Sequence, residues 1–253
     1  MTDLVLDASS ACLHIIVLRD GALHMEETWF LEHRATEVLA DALHRIAETL
    51  GITPADFRRI ACVNGPGSFT GIRLVLATAA GLKRCGNAVL GAINGLQALA
   101  LTAAHTLCTA SSARIHVVTH ARRNLVHHQV FLGPHCEPEE AIALKSPEDV
   151  ASIVESGDLV CGNGCARNAD LFAPLMQRGV LLCSGLTEPT SEALADLAGR
   201  IAYSRQDLEP LYVRPCDALA NLERLSGRQG IAPDEAHRRY DELLSADPAR
   251  ALL

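Results

Sequence analysis

The sequence has no surplus of positive charge. Its 253 residues carry a formal net charge of −8, and the pI is about 5.7. Tight binding to phosphate backbones or anionic membranes depends on clustered lysine and arginine. The charge therefore argues against a protein that binds nucleic acid tightly by itself. Local basic pairs, such as the two arginines of "FRRI", are interpreted as solvated ends of strands and loops.

Paired cysteines are also lacking, although the chain contains nine cysteines. There is no CxxC motif, the number is odd, and only Cys161 and Cys165 lie close together in the sequence. Neither a zinc knuckle nor a disulfide framework is indicated. The N-terminal "MTDLVLDASS" has no basic flank before its apolar stretch, so we expect no secretory signal and predict a cytoplasmic location.

A long uninterrupted apolar run is absent as well. The nearest approach is residues 88–107, "AVLGAINGLQALALTAAHTL", which contain Asn94, Gln97 and His105. The Asn94-Gly95 pair is typical of a turn that closes a strand. The segment therefore predicts a buried strand followed by a buried helix, and no membrane span is expected.

What the sequence does contain is an alternation of strand and helix patterns in a globular composition, 49% hydrophobic and 21% charged. The first third predicts three strands, a helix from Glu32 to Leu50, a short strand, a helix from Thr70 to Lys83, a further strand and a third helix, and hence a mixed five-stranded sheet. A weaker second alternation predicts a smaller, divergent α/β lobe. We divide the chain into a first lobe (1–107), a second lobe (108–216) and a helical tail (217–253).

A glycine-rich loop, "NGPGSFTG", stands between the short strand and the second helix. Backbone N–H groups and a helix N-terminus at one place suit an anion. The phosphate motifs are incomplete, however, because Ile72 stands where a Walker loop has lysine and the spacing is GxGxxxG instead of GxGxxG. A tight turn with close helix packing is the favoured interpretation. The weak anion-binding candidates are Asp7, Ser9, Gly65, Gly67, Ser68, Thr70 and Gly71.

Both helices of the first lobe have more apolar surface than one sheet can cover. The helix from Thr70 to Lys83 is apolar around most of its circumference, and the helix from Glu32 to Leu50 carries two apolar stripes. One stripe of each helix can meet the sheet, and the other needs a second cover. That cover is a neighbouring helix, the tail or another protein chain. The small residues Ala77, Ala80 and Gly81 allow a close helix approach.

Three stretches resemble one known family: "GPGSFTGIRLVLATAAGLK", the opening "LVLDASSACLHIIVL" and "EPLYVRP". They are similar to the TsaB (YeaZ) family of bacterial threonylcarbamoyladenosine biosynthesis proteins, over roughly residues 3 to 216. The resemblance implies a two-lobed, actin-like ATPase fold. It also implies a non-catalytic partner that activates the TsaD threonylcarbamoyltransferase, which modifies position 37 of tRNAs reading ANN codons. The implied partners are TsaD, the small ATPase TsaE through the complex, a second copy of the chain when TsaD is absent, and tRNA only within the complex.

The resemblance, together with the spare apolar stripes, selects a partner surface on the two helices. It implies binding of TsaD there, and Leu74, Ala77 and Gly81 are our choice for the outward stripe of the second helix. The complete set of predicted interface residues is Leu39, Leu43, Ile46, Thr70, Arg73, Leu74, Ala77, Thr78 and Gly81.

The chain departs from the family and from its catalytic relative at several places. Gly95 and Leu99 stand where TsaD has the two histidines of its His-x-x-x-His metal motif. We therefore expect no metal, no cofactor and no enzymatic activity of the chain by itself. The usual "DTST" is "DASS" here, with Asp7, Ser9 and Ser10, which puts nucleotide binding in doubt. The usual "DAR" is "HAR", with His120. His116 and His120 share one strand face and are interpreted as ordinary strand residues.

Two other classes remain open at this stage. One is an enzyme acting alone, either an actin-like phosphotransferase or a metallopeptidase. The other is a plain nucleotide-binding module. The sequence contains no HExxH motif and no conspicuous spacing of serine, histidine and aspartate, which favours the activating partner over a peptidase.

Overall fold

The first five strands of the chain build one sheet. In the computed structural model, which describes residues 1–31, 34–107 and 114–213 together with positions 235 and 238, the first five strands form one mixed sheet in the order β3-β2-β1-β4-β5. The antiparallel pairs are β1–β2 and β2–β3, and β4 runs parallel to both β1 and β5. The five-stranded prediction is confirmed. The strands are β1 (Thr2–Asp7), β2 (Cys12–Arg19), β3 (Ala22–Phe30), β4 (Phe57–Gly65) and β5 (Val89–Asn94).

Three long helices alternate with these strands: α1 (Ala35–Leu50), α2 (Phe69–Cys85) and α3 (Gly95–Leu107). Helix α1 ends at Gly51, whose φ of 63° is in the left-handed region that glycine tolerates. Helix α2 begins at the N-cap Ser68, whose side chain accepts a hydrogen bond from the Gly71 N–H. The predicted start of the first helix at Glu32 lies outside the described residues.

The second sheet has six strands in the order β11-β10-β6-β7-β8, with β9 paired to β7. This α/β sheet agrees with the weaker second alternation of strand and helix patterns in the sequence. The strands are β6 (Arg114–Arg122), β7 (Leu125–Leu132), β8 (Glu137–Pro138), β9 (Ala143–Lys145), β10 (Leu159–Cys161) and β11 (Leu181–Cys183); the helices are α4 (Pro147–Ile153), α5 (Asn163–Arg167), α6 (Ala169–Phe172) and α7 (Ser191–Arg200), with 3-10 turns at Pro54–Asp56 and Ala173–Arg178.

Helix α3 lies in the middle of the molecule. Its residues share one core with both sheets and with α7, and nearly all of it is buried. This explains the apolar segment 88–107 as a buried strand and a buried helix, as predicted. Among the described residues, no helix is long and apolar enough to cross a membrane.

A second core packs α1 and α2 against the opposite face of the first sheet. It corrects two predicted interface residues, because Ile46 is fully buried and Leu39 is only 2% exposed. Both residues belong to the stripe of α1 that meets the sheet, so they are core residues.

By contact density the chain divides into two compact units, residues 1–213 and 214–253. The predicted lobe boundary at 107/108 adjoins positions 108–113, which lie outside the described residues. The predicted helical tail at 217–253 lies outside them too, except for Glu235 and Arg238, which are helical and form an ion pair of 2.7 Å.

Candidate functional site

The glycine loop is packed tightly against the turn that joins β1 and β2. A Cβ atom on Gly67 would lie 2.1 Å from the carbonyl oxygen of Ser9, and one on Gly71 would lie 1.8 Å from that of Ala8. No real Cβ atom approaches backbone oxygen so closely. These glycines therefore permit close contact between two backbone segments, which supports the packing interpretation of the motif.

Three N–H donors at this loop are engaged in hydrogen bonds within the protein. The Ser68 N–H donates to the Ser9 carbonyl at 2.7 Å and the Ile72 N–H to the Ser68 carbonyl at 2.9 Å, while Gly71 N–H donates to the Ser68 hydroxyl at 3.2 Å. The cavity beside the loop measures about 20 Å³, which suits roughly one water molecule. Of the anion-binding candidates, Ser68, Thr70 and Gly71 line this cavity, which is too small for a nucleotide phosphate.

Asp7, the acidic member of that set, is almost completely buried. One carboxylate oxygen accepts a hydrogen bond from the Ser9 N–H at 2.7 Å, and the other has no hydrogen-bond partner. Burial raises the pKa of Asp7, against the opposing influence of His14 and of the Ser9 hydrogen bonds. A carboxyl group held toward its neutral form is a poor ligand for Mg²⁺.

The segment 204–213 covers one flank of α2. Leu211 N–H donates to the Asn64 carbonyl at 2.8 Å, and its carbonyl oxygen would lie 2.8 Å from a Cβ atom on Gly65. Farther along, Tyr212 stacks on Phe69 with ring centroids 5.7 Å apart, and Arg73 Nε donates to the Tyr212 hydroxyl at 2.9 Å. The segment supplies part of the cover that the apolar circumference of α2 requires.

At the other end of α2, the same segment is held by charge. Lys83 and Arg84 both pair with the carboxylate of Asp207, and Leu208 packs on the core beneath α2. Exposed ion pairs contribute little to stability, so apolar contacts account for most of the stability with which this segment is attached. We call residues 204–213 the strap.

The remaining flank of α2 faces α1 across an open groove of about 520 Å³. Leu74 and Leu43 are half-buried, whereas Ala77 and Gly81 are exposed, and nothing lies within 4 Å of a Cβ atom placed on Gly81. The predicted outward stripe of α2 is therefore solvent-facing. The groove is lined by side chains of both helices, among them Ala40, Leu43, Ala47, Leu74, Thr78 and Gly81.

Not all predicted interface residues border this groove in the same way. Thr70 is exposed at the start of α2 and lines the small cavity beside the glycine loop. Arg73 lies over the ring of Phe69, 3.9 Å from its centroid, next to the strap. Leu39 lines the groove from the core, and Ile46 does not reach the surface.

The two positions that correspond to the metal-binding histidines of TsaD carry no ligand. Gly95 opens α3, and Leu99 is 5% exposed in the central core. A Cβ atom on Gly95 would already meet Val63 Cγ1 at 3.1 Å. Packing of α3 against β4 occupies the space in which those side chains would stand.

Two histidines and an aspartate of the second lobe form a buried hydrogen-bonded chain, which we call the relay. His116 Nδ1 lies 3.1 Å from His128 Nε2, and His116 Nε2 lies 3.1 Å from Asp158 Oδ2. Burial lowers the pKa of both imidazoles, that of His128 to about 3. They are neutral core groups, as the strand interpretation predicts for His116. His120 instead borders a surface pocket with Arg122, Arg123 and Arg167.

A third group of polar side chains was not found from the sequence. Cys12, His14 and Glu188 place one ligand-type atom each within 4.8 Å of one another. The signal in the sequence is a short Cys-x-His on β2, but Glu188 comes from the loop before α7, 174 positions after His14.

Two mixed sheets with α3 and α7 between them, and α1 and α2 on the outer face of the first sheet, define a two-lobed α/β protein of the actin-like class. A family model described as "TsaD: tRNA N6-adenosine threonylcarbamoyltransferase" matches residues 31–213. The chain therefore belongs to this family.

Similar proteins include one curated protein and two solved structures. The chain is 29% identical over 105 residues to the "tRNA threonylcarbamoyladenosine biosynthesis protein TsaB" of Bacillus subtilis, a match that covers 42% of this chain and 46% of the relative. The chain thus spans about half the length of that relative. Two structures of YeaZ-type proteins from Pseudomonas aeruginosa share the fold with a TM-score of 0.67, at 20% and 21% identity, over 84% and 83% of this chain and 99% of each.

Proposed function

We propose that the chain is a non-catalytic TsaB-type subunit, which binds a TsaD-like threonylcarbamoyltransferase and activates it in forming threonylcarbamoyladenosine at position 37 of tRNAs. The open apolar groove between α1 and α2 carries this proposal. Exposed small residues beside half-buried leucines are what a partner helix needs for close packing. The B. subtilis relative is named a threonylcarbamoyladenosine biosynthesis protein, which supports the same pathway.

The rest of the molecule supports a binding role over an enzymatic one. The loop that would hold phosphate is closed by contacts with Ala8 and Ser9, and Gly95 and Leu99 stand at the TsaD ligand positions. The threonylcarbamoyl transfer then belongs to the partner. A TsaE-like ATPase and the tRNA join through that complex, and a second copy of the chain occupies the groove when TsaD is absent.

The decisive variant is Ala77→Glu. Ala77 is exposed and lies one helical turn from Leu74 and Gly81, which line the groove, so a carboxylate there is hydrated in the free protein and would lose its water in the proposed complex. An unpaired charge buried at an interface costs a few kcal/mol, and 1.4 kcal/mol corresponds to about tenfold in affinity. Calorimetric titration of TsaD from the same organism should show binding at least about tenfold weaker, with an unchanged melting temperature.

The matched control is Ala169→Glu, since Ala169 is an exposed helical alanine on the second lobe. It should bind TsaD like the parent protein. Equal binding by Ala77→Glu and the parent would contradict the groove as the interface. Transfer of threonylcarbamoyl by the chain alone, after rigorous removal of TsaD, would contradict the non-catalytic role.

A further inference from the structure

Three side chains with metal-binding atoms converge at the start of β2, apart from the groove. Cys12 and His14 are two residues apart on one strand, so their side chains project from the same face of the sheet. Glu188 reaches them from the loop before α7, with its carboxylate 3.9 Å from His14 Nε2. We propose that Cys12, His14 and Glu188 bind a divalent transition-metal ion, with zinc as the best match.

The histidine is prepared for this role. Its Nδ1 lies 3.1 Å from the Thr28 hydroxyl, whose oxygen can accept a hydrogen bond from Nδ1–H, and this tautomer leaves the lone pair on Nε2 toward Cys12 and Glu188. Among the described residues, nothing forms a hydrogen bond with Nε2, although His14 is only 4% exposed. A second polar group that fixes the ring in this way is typical of metal-binding histidines. A buried, unpartnered imidazole nitrogen is costly unless a ligand occupies it.

The Glu188 carboxylate makes a cation favourable. The Ser10 hydroxyl donates a hydrogen bond to it, which orients it. Glu188 is 27% exposed and Cys12 is half-buried, so an ion can enter from this side.

The ligand set selects the kind of ion. Zinc accepts sulfur, nitrogen and oxygen at about 2.0 to 2.3 Å, whereas Mg²⁺ and Ca²⁺ prefer oxygen alone. Ligand atoms around a tetrahedral zinc are roughly 3.4 Å apart at those bond lengths. The ligand atoms of Cys12, His14 and Glu188 lie within 4.8 Å of one another, so modest side-chain rotations bring them to the separation that zinc requires. Three protein ligands leave the fourth position for water. Binding requires that the Cys12 thiol release its proton to solvent.

Co²⁺ is the probe, because a thiolate ligand gives it a charge-transfer absorption band in the near ultraviolet that oxygen and imidazole ligands do not. Titration of the full-length protein with Co²⁺ should produce this band, and Zn²⁺ should remove it by displacement. Cys12→Ser should abolish the band. Cys85→Ser, which removes an exposed thiol on α2, should keep it.

Two further variants separate a metal site from a simple histidine–carboxylate contact. Glu188→Gln should weaken Zn²⁺ binding at least about tenfold, and Thr28→Val about 10- to 100-fold through the histidine orientation. Their circular dichroism spectra establish that they are folded. Absence of the band in the parent protein, or its retention in Cys12→Ser, would overturn the proposal. Neither result depends on whether the chain binds TsaD.

Discussion

The two ends of the motif "GPGSFTGIRLVLATAAGLK" differ in what surrounds them. At its start the loop is closed, with the glycines in contact with the backbone of Ala8 and Ser9. Half a helix later, Ala77 and Gly81 are exposed, and Gly81 lines a groove of about 520 Å³. The glycines of the part that resembles a ligand loop therefore serve close backbone packing, although Gly67 and Thr70 are exposed, and the part that resembles ordinary helix is available to a partner. Glycine is required at position 71, where a larger residue would clash, but it is merely tolerated at position 81.

The largest effect is expected from Gly71→Ala. The added methyl group would lie 1.8 Å from the Ala8 carbonyl oxygen, so β1 and α2 must separate, at a cost of about 3 kcal/mol or more. Gly81→Ala is the matched control, because it gains helix propensity of about 1 kcal/mol and meets nothing within 4 Å. Urea unfolding of both variants measures the difference. Equal stability of the two would show that the loop is open.

Buried and exposed histidines should also differ in how they affect the pH dependence of the folding stability. Burial lowers the pKa of His128 to about 3 from 6.5, so the unfolded chain binds a proton that the folded chain does not. Stability is then fully present above pH 6.5 and falls as the pH decreases toward 3, by about 1.4 kcal/mol per pH unit.

Between pH 6.5 and 5, His128→Gln should remove about 2 kcal/mol of this pH dependence. His44→Gln, on the exposed surface of α1, should leave it unchanged. Urea unfolding across the pH range provides the comparison. A parent protein whose stability is flat from pH 7 to 5 would contradict a buried neutral relay.

A smaller effect is expected on self-association. If the groove is the open region, two copies should pair through it when TsaD is absent. Ala77→Glu should weaken that dimer at least about tenfold, equivalent to 1.4 kcal/mol, while Ala169→Glu does not. Sedimentation equilibrium gives both dissociation constants. A dimer of unchanged affinity in Ala77→Glu would show that the two copies contact each other through another surface.

No effect is expected from ATP. The Ser68 and Gly71 N–H groups are already bonded within the protein, and the cavity beside them has about 20 Å³. Millimolar ATP with Mg²⁺ should leave the melting temperature of the isolated chain within experimental scatter. A low-micromolar site in calorimetry would show that the loop opens, and it would reverse the contrast between the two ends of the motif.

Sequence alone determined the succession of strands and helices, the five-stranded first sheet and the family resemblance. These properties follow from local patterns, since hydrophobic periodicity, N-caps such as Ser68 and turn glycines such as Gly51 act within a few residues. Leu74, Ala77 and Gly81 were chosen for the outward stripe of α2 because small residues allow a close helix approach; Ala77 and Gly81 are exposed and Leu74 is half-buried, and their role as a partner surface stays a prediction.

Tertiary structure decided which contacts those elements make. Helix α1 has two apolar stripes, and only its packing on the sheet shows that Leu39 and Ile46 are on the inner one. The closed loop depends on Ala8 and Ser9, some 60 positions earlier, the strap on residues 204–213, and the metal-type cluster on Glu188. Such contacts join residues far apart in the chain, and burial of apolar surface in the whole fold, which no local pattern encodes, selects them.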